Sequence, residues 1–359
     1  MWEIFLNIKK ENNLKALVKT KKGYGNVELI DIAEPICRND EIKIRVKAIG
    51  ICGTDLHIYE GDFPYFNTPV ILGHEFTGEI VEIGKNIQIK KKFCINDRVV
   101  VLPSAAITCG KCKYCRSGFF ICCPQRKGMG HGVDGGMVEY KCIKEDFVYK
   151  LPEGVSYDVG VLVEPLSCSV HAVDSFITIT PNSNCLISGP GVMGLLVLSL
   201  LRLRNCKVAL MGLSEDNKRF EVARKIGSDL GIFVDNENIK GKIDNILGAN
   251  FFDISFECAG VPESVNKCIT YLRKMGCLIQ LGLFNKKASI DMNDIVIKHI
   301  AIYGSLGYTW NDWDKSMELI KRKELKLDKL ITDIYKIEDW ENAFKKAKNH
   351  DSLKVIFRI

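Results

Sequence analysis

The chain has 359 residues, of which 47% are hydrophobic and 26% are charged, so it can bury a large core and does not have the composition of a disordered protein. Its length favours two domains over one. Lysine and arginine exceed aspartate and glutamate by six, 50 against 44, but the charges are interspersed, which argues against a nucleic-acid-binding surface. We therefore expect no nucleic-acid partner.

No segment of the sequence is suited to a membrane. Residues 1–13 lack the long apolar run and the cleavage site of a signal peptide and read as a short extension. The most apolar later stretch, 191–203, is shorter than the roughly twenty residues that cross a bilayer. Because disulfides are rare in the cytosol, fifteen cysteines in such a chain indicate reduced thiols and bound metal. We expect a cytoplasmic protein with no membrane partner.

The pattern of apolar residues divides the chain into three stretches. The first 160 residues contain β-branched runs separated by glycines, which predicts a β-rich domain with strands at 14–19, 41–49, 77–83 and 98–102. From residue 184, short apolar strands alternate with amphipathic helices, which is typical of a parallel sheet covered on both faces. The elements predicted there are strands at 185–188, 207–211, 230–234, 252–258 and 277–281 and a helix at 217–226. After residue 304 the chain is mixed, with helices predicted at 313–321 and 338–347 and a last strand at 354–359.

A first candidate metal segment lies in the β-rich part. Gly-Ile-Cys52-Gly-Thr54-Asp-Leu-His57 supplies a thiolate, a hydroxyl two residues on and an imidazole five residues on. Thiolate and imidazole are ligands that zinc prefers, and a catalytic zinc keeps one position open for substrate, so three or fewer protein ligands suffice. The segment alone does not complete such a set.

Two further segments offer the missing ligands. Gly-His74-Glu75 places an imidazole beside a carboxylate, and Glu164 lies at the junction between the β-rich and parallel-sheet parts, where a cleft would run. Taken singly, His74 is equally well read as a core histidine and Glu75 as a surface acid. Their combination with the other motifs favours a catalytic zinc site.

A cysteine-rich loop predicts a second zinc. Its four thiols fall within fifteen residues, at Cys109, Cys112, Cys115 and Cys123. Such spacing wraps one tetrahedral zinc in a closed site, which holds a loop in place and leaves no position for substrate. Cys122 is adjacent and competes with Cys123 as the fourth ligand.

A glycine-rich turn predicts a dinucleotide site. Gly189-Pro-Gly191-Val192-Met193-Gly194 follows a predicted strand and opens an apolar helix. The first glycine permits the tight turn, the second lets the backbone approach a pyrophosphate, and the third lets helix and strand pack closely. The helix N-terminus then presents free amide groups to the phosphates.

The preference between NAD and NADP is left open by the next strand. An NAD site places a carboxylate at the end of that strand to bind the ribose hydroxyls, but this chain has Gly212 there. Ser214, Lys218 and Arg219 follow and would suit a 2′-phosphate, whereas Asp216 comes late and would have to reach back.

Taken together, these motifs resemble the zinc-containing medium-chain dehydrogenases, especially the sorbitol (iditol) dehydrogenase branch and its threonine dehydrogenase relatives. The likeness runs from residue 14 to residue 359. It implies an α/β protein with a GroES-like β-rich catalytic domain, residues 1–165 and 306–359, that carries the zinc loop at 109–123. An inserted Rossmann domain with a doubly wound parallel sheet, residues 166–305, is expected to bind NAD or NADP.

The resemblance also implies roles for single residues. The ligands or close neighbours of the catalytic zinc would be Cys52, His74, Glu75 and Glu164. Thr54 and His57 resemble a proton relay, and Asp55 resembles the carboxylate that orients His74.

Further residues are implied for the cofactor. Arg219 matches an arginine near the adenosine ribose, and Leu281, Leu283 and Ser305 lie in segments that line the nicotinamide. One departure is Asn96, which replaces the glycine usual before the Asp-Arg-Val motif. Asparagine is tolerated there because it adopts left-handed backbone conformations more readily than most residues.

The function predicted from these features is a zinc-dependent oxidoreductase that transfers a hydride between a secondary alcohol of a small polyol-like substrate and NAD(P), giving a ketone. Alternatives within the same family are an L-threonine 3-dehydrogenase and a sugar-phosphate or aminopolyol dehydrogenase. A distant alternative is a non-catalytic zinc-ribbon binding protein. The resemblance further suggests a homodimer or homotetramer.

Overall fold

The computed structural model describes residues 13–87, 93–235, 241 and 251–359, so the predicted N-terminal extension lies outside the described residues except for its last position. The strands are β1 (Asn13–Lys19), β2 (Val27–Ala33), β3 (Glu41–Gly50), β4 (Val70–Ile71), β5 (Glu75–Ile83), β6 (Arg98–Val101), β7 (Tyr140–Lys144), β8 (Val148–Lys150), β9 (Asn184–Ser188), β10 (Lys207–Gly212), β11 (Leu230–Phe233), β12 (Phe252–Glu257), β13 (Leu272–Gln280), β14 (Ala301–Gly304), β15 (Ile331–Lys336) and β16 (Lys354–Arg358). The helices are α1 (Gly53–Glu60), α2 (Lys113–Arg116), α3 (Tyr157–Gly160), α4 (Val163–Asp174), α5 (Val192–Leu203), α6 (Asn217–Ile226), α7 (Pro262–Tyr271), α8 (Met292–Lys298), α9 (Trp310–Arg322) and α10 (Trp340–Ala347).

The parallel sheet has six strands in the order β11-β10-β9-β12-β13-β14, all paired in parallel. Its strand order reverses between β9 and β12, and ligands of such sheets bind in the crevice at the carboxyl ends of the strands at that point. The predicted Rossmann sheet is therefore confirmed. The prediction for β13 was wrong at its start, because the strand begins at Leu272 rather than Cys277. Residues 273–275 near the start of this strand are exposed, and Met275 has φ 60°, so the apolar pattern does not reveal them.

The β-rich part is built from both ends of the chain. A seven-stranded sheet runs β15-β16-β3-β5-β6-β8, with β7 also pairing with β3, and a three-stranded sheet runs β2-β1-β4. The last strand β16 lies antiparallel to β3, where Ile356 is opposite Gly50. The turn before β6 contains Asn96 at φ 69°, the left-handed conformation that the sequence predicts. The domain boundaries at 165/166 and 305/306 stay a prediction.

Helix α4 joins the two parts. It packs against α5 of the parallel-sheet part and against α9, and its apolar residues, among them Leu166 and Val170, belong to a core that includes Leu102 from the β-rich part and Leu195 from α5. The first turn of α4 therefore sits where the two sheets meet. In the described part of the chain, no helix has both the length and the apolar character needed to cross a membrane.

Candidate active site

Three potential metal ligands meet where α1 and β5 begin. Cys52 directly precedes α1, and His74 and Glu75 follow a turn at Gly73, whose φ is 87°. A side chain at Gly73 would place its Cβ 2.4 Å from Ile49, so the turn requires glycine. The ligand atoms of Cys52, His74 and Glu75 all lie within 4.8 Å of one another.

The donor set fits zinc. Nδ1 of His74 is buried and has no hydrogen-bond partner among the described residues, and a buried polar atom without a partner is costly. Burial by itself lowers the pKa of His74, but Cys52, Asp55 and Glu164 outweigh it and raise that pKa well above its ordinary value. A pocket surrounded by these acidic groups favours the binding of a cation. The carboxylate of Asp55 is fully buried and its Oδ1 lies 4.0 Å from Nδ1 of His74, so the two are close but not hydrogen bonded.

A lysine that sequence reasoning missed is paired with Glu75. Nζ of Lys354, in β16, lies 2.8 and 2.6 Å from the two carboxylate oxygens of Glu75 and donates to the carbonyl oxygen of Ile51 at 3.1 Å. Both side chains are buried. The signal in the sequence is a lysine at the start of an otherwise apolar last strand, but its partner lies in a distant segment.

Glu164 faces the same space from the first turn of α4. Burial, reinforced by the charge of Glu75, raises the pKa of Glu164 to about 7. The thiol of Cys168, one turn later, lies 3.9 Å from Oε1 of Glu164. The structure thus brings Glu164 to the wall of the pocket that contains Cys52 and His74.

These residues line a cleft with two connected chambers. The inner chamber, about 370 Å³, contains Cys52, His74, Glu75, Glu164 and the loop Gly191–Met193. The outer chamber, about 830 Å³, shares Thr54, Phe63, Ile121, Leu283 and Leu306 with it. Thr54 therefore reaches both, and His57 lines the outer chamber, where its Nδ1 lies 3.0 Å from Asp62.

The glycine-rich turn has the geometry of a phosphate-binding loop. Gly189 has φ 102°, and a Cβ there would lie 2.7 Å from the backbone of Ala259. A Cβ at Gly194 would lie 2.0 Å from the carbonyl oxygen of Gly189, so helix α5 packs tightly on β9. A Cβ at Gly191 would meet no atom of the described residues within 4 Å, which leaves room there for a ligand at the start of α5.

The cysteine loop also converges. The ligand atoms of Cys109, Cys112, Cys115 and Cys123 all lie within 4.8 Å of one another, whereas Cys122 is exposed and outside this group. Backbone N–H groups of Lys111 and Cys112 lower the pKa of the Cys109 thiol to about 6. Four sulfurs in this arrangement fit a closed zinc site.

Comparison with known proteins agrees with this geometry. Residues 38–153 match the alcohol dehydrogenase GroES-like domain, and residues 192–322 match the zinc-binding dehydrogenase model. A sorbitol dehydrogenase from Halalkalibacterium halodurans is 34% identical over 96% of this chain and 98% of its own length. The chain belongs to the zinc-binding dehydrogenases. It is an enzyme of the family predicted from its sequence, and the family's cofactors are zinc and NAD or NADP.

Two other similar proteins illustrate the range of this family. A D-arabitol-phosphate dehydrogenase from Enterococcus avium is 32% identical over 96% of this chain and 97% of its own length. A crystal structure from Sinorhizobium meliloti 1021, assigned to the zinc-binding dehydrogenases and bound to NADP, superposes with a TM-score of 0.88 at 26% identity, covering 97% of this chain and 100% of that one.

A carboxylate does lie beside Gly212. A chamber of about 570 Å³ is lined by Gly212, Asp216, Arg219 and His350. Asp216 is buried and reaches back, so that a Cβ at Gly212 would lie 3.0 Å from its Oδ2. Its Oδ2 accepts from the backbone N–H of Leu213 at 2.9 Å, and its Oδ1 lies 3.2 Å from Nη1 of Arg219 and 2.9 Å from Nδ1 of His350.

The side chains suggested for a 2′-phosphate already have partners. Ser214 donates its backbone N–H and its hydroxyl to Asp235, and Lys218 lies 3.0 Å from Asp351. Arg219 also donates to the carbonyl oxygens of Asn349 and Ser352.

Of the three residues expected at the nicotinamide, Leu283 lines the cleft, whereas Leu281 and Ser305 are not among its lining residues. Leu283 lines both chambers of the cleft. Leu281 and Ser305 follow the ends of β13 and β14. The backbone N–H of Leu281 donates to the carbonyl oxygen of Glu257, and that of Ser305 donates to the carbonyl oxygen of Gln280. Their contact with the nicotinamide stays a prediction.

Two cleft residues of this zinc-binding dehydrogenase were missed by sequence reasoning. Arg126 and His131 line both the inner and the outer chamber. Burial, together with the charges of His74 and Arg126, lowers the pKa of His131 to about 3, so its imidazole is neutral. Its ring lies edge-on to those of Phe63 and His74, with centroids 6.1 Å away in each case. The signal was a glycine-rich run at 128–136 directly after the cysteine loop, which indicates a closely packed turn.

Proposed function

We propose that this zinc-binding dehydrogenase oxidises a secondary alcohol of a small polyol-like substrate to a ketone and transfers the hydride to NAD, and catalyses the reverse reaction. The observation that carries this proposal is the convergence of Cys52, His74 and Glu75 in the same chamber as the loop Gly191–Met193. Zinc bound there would act as a Lewis acid on the substrate hydroxyl. The chain itself orients the alcohol carbon toward the nicotinamide, which performs the hydride chemistry.

For the metal ligands, we propose Cys52, His74 and Glu164. Both oxygens of Glu75 are engaged by Lys354, which makes Glu75 a neighbour that adds negative charge. The described partner of Glu164 is a thiol at 3.9 Å, a weak interaction that a metal would replace. The four-cysteine loop would hold a second, structural zinc.

For the substrate proton, two paths through the chain's own residues are available. Thr54 reaches both chambers and His57 lines the outer one, so the hydroxyl and the imidazole can pass the proton outward. The second path uses Glu164, whose carboxylate can accept the proton only while it lies beside the metal and does not ligate it, since a ligating carboxylate is deprotonated.

For the cofactor, we propose NAD over NADP. Asp216 supplies the carboxylate that Gly212 lacks, and a buried carboxylate at this place would repel a 2′-phosphate. Ser214, Lys218 and Arg219 are each engaged by other groups, so none is free to bind that phosphate.

For assembly and location, we propose a homodimer or homotetramer in the cytoplasm. Strand β14 is the last strand of its sheet and exposes Ile302 and Tyr303, and the neighbouring α8 exposes Val296 and Ile297. An apolar edge of this kind is suited to pairing with a second copy. The fifteen cysteines are all free thiols, which suits a reducing compartment. Light scattering of the purified protein tests the assembly.

The function is tested by turnover. Zinc-loaded protein is assayed at 340 nm with NAD and NADP against sorbitol, xylitol, butanediol, L-threonine and polyol phosphates. We expect ketone formation with a polyol or a polyol phosphate, and loss of most turnover in C52S with the fold retained. C94S, a change of an exposed cysteine, is the control. A preference for L-threonine would favour the threonine dehydrogenase alternative, and full activity of C52S would contradict the site.

A further inference from the structure

The outer chamber contains a positive charge that the proposed function does not use. We infer that Arg126 binds an anionic group of the substrate, namely the phosphate ester of a phosphorylated polyol, where the inner and outer chambers join. This inference rests on the proposed function, because it assumes that the reacting alcohol of the same substrate lies beside Cys52 and His74.

The position of Arg126 is fixed by its backbone. Its N–H donates to the carbonyl oxygen of Cys123 at 2.9 Å, so it is attached directly to the last cysteine of the zinc loop. The following residue, Lys127, exchanges two hydrogen bonds with Ile107, at 2.9 and 3.0 Å. Nη1 of Arg126 then donates to the carbonyl oxygen of Ser104 at 3.2 Å, which holds the side chain along the cleft wall. A guanidinium held in this way is pre-organised for a ligand.

The guanidinium of Arg126 has no counter-ion in the part of the chain that the structure describes. It is half-buried, and burial lowers its pKa, yet none of the ion pairs formed by the described residues includes it. The negative charge of Glu164 favours the charged guanidinium of Arg126, but the two groups do not form an ion pair. A partly desolvated cation without a partner is unfavourable, and a bound anion with two or more oxygens relieves this cost.

The surroundings of Arg126 favour a doubly charged anion. Three charged side chains line the outer chamber, Asp62, Arg126 and Lys127, and the acidic one is already paired with His57. Lys127 is exposed and unpaired within the described residues. Two unpaired cations match the charge of a phosphate monoester better than that of a carboxylate.

The sizes of the chambers suit such a substrate. The inner chamber, about 370 Å³, also contains the phosphate-binding loop Gly191–Met193 and has room for the reacting end of a small alcohol. The outer chamber is about 830 Å³, so a chain of several carbons can extend through the junction and place its terminal phosphate at Arg126.

The first test compares matched substrates. Zinc-loaded protein with NAD is assayed with xylitol, xylitol 5-phosphate and D-xylonate, and kcat and KM are measured for the wild type, R126Q and R116Q. Arg116 is exposed in the same cysteine loop and does not line the cleft, so R116Q makes the same charge change outside the site. We expect the wild type to favour xylitol 5-phosphate over xylitol, and R126Q to lower this kcat/KM ratio about 10- to 100-fold, chiefly through KM. R116Q should leave the ratio unchanged.

Three results of this test would overturn the inference. They are an unchanged ratio in R126Q, a wild-type preference for D-xylonate over the phosphate ester, and an equal loss on all substrates accompanied by loss of zinc. The last result would assign Arg126 to support of the cysteine loop.

A second test does not depend on turnover. Inorganic phosphate is titrated into the zinc-loaded protein with NAD and followed by ³¹P NMR. We expect saturable binding that R126Q weakens about tenfold or more and R116Q does not. If every alcohol fails as a substrate while phosphate still binds through Arg126, the proposed function fails and the anion site stands. Absence of binding, or equal binding to R126Q, would overturn the anion site.

Discussion

The ammonium group of Lys354 lies 2.8 and 2.6 Å from the two carboxylate oxygens of Glu75, although 279 positions separate the residues along the chain. The pair is buried and joins the last strand to the segment that carries His74. Burial opposes the charge of Lys354, but Glu75 and Cys52 outweigh it and raise the pKa of Lys354, so its ammonium group stays charged. It therefore connects the chain's end to the candidate zinc site.

Removing one partner of the Lys354–Glu75 pair should destabilise the folded protein. We expect K354M to lower the free energy of unfolding by about 3–5 kcal/mol, because it leaves the carboxylate of Glu75 buried and unpaired. The double variant E75Q/K354M should be less destabilised than K354M alone. Urea denaturation of the zinc-loaded protein measures both. The exposed pair Lys315–Asp174 provides the control K315M, expected to cost less than about 1 kcal/mol; an equally small cost for K354M would contradict the prediction.

The stability of the β-rich part should depend on pH through Glu79. Hydrogen bonds from Arg45 and Tyr157 lower the pKa of Glu79 from its ordinary 4.5 to about 2. A depressed carboxyl pKa stabilises the fold above pH 4.5, and this contribution is lost as the pH falls toward 2. We expect E79Q to destabilise the protein by about 2 kcal/mol at pH 7, and by progressively less below pH 4.5.

Denaturation at several pH values tests this dependence. The control is E82Q, a more exposed glutamate on the same strand whose nearest lysine nitrogen is 3.9 Å away. A destabilisation by E79Q that stays constant from pH 7 down to pH 3 would exclude the assigned role of the ionised carboxylate.

The fourth ligand of the structural zinc can be distinguished by two serine variants. Cys123 is buried and groups with the other three sulfurs, whereas its neighbour Cys122 is exposed. We expect C123S to lose one zinc per chain and to unfold at lower temperature, and C122S to retain both zinc ions. Metal content by mass spectrometry and a thermal melt give the answer, and the opposite pattern would assign Cys122 as the ligand.

Cofactor preference should follow Asp216. We expect kcat/KM with NAD to exceed that with NADP by about tenfold or more, since a misplaced phosphate beside a buried carboxylate costs at least about 1.4 kcal/mol. D216N should reduce this preference, because Arg219 and His350 then lose their carboxylate partner. E221Q, an exposed change on the helix that follows Asp216, should leave the preference for NAD unchanged. A wild-type preference for NADP would refute this assignment.

The features that sequence could predict are those with local spacing. The four sulfurs of the zinc loop lie within fifteen residues, and the glycine turn is bounded by its own strand and helix, so each motif specifies its geometry without distant contacts. Asn96 is similar, because its left-handed backbone is a property of one residue in its turn.

The features that sequence could not predict depend on which distant segments meet. The pairing of Lys354 with Glu75 requires β16 to lie against β3, and Asp216 meets His350 only because the chain's end packs on the parallel-sheet part. Arg126 follows a zinc ligand, but nothing in its neighbours shows that it faces the cleft. Such contacts follow from the tertiary fold and not from local spacing.

The central claim is that Cys52 and His74, with a carboxylate, bind a zinc ion in the chamber that also contains the phosphate-binding loop Gly191–Met193. Crystals of the zinc-loaded protein measured on both sides of the zinc absorption edge test it most directly. We predict two anomalous peaks per chain, one among Cys109, Cys112, Cys115 and Cys123 and one bound by Cys52, His74 and Glu164. A single peak at the cysteine loop, with none beside Cys52, would contradict it.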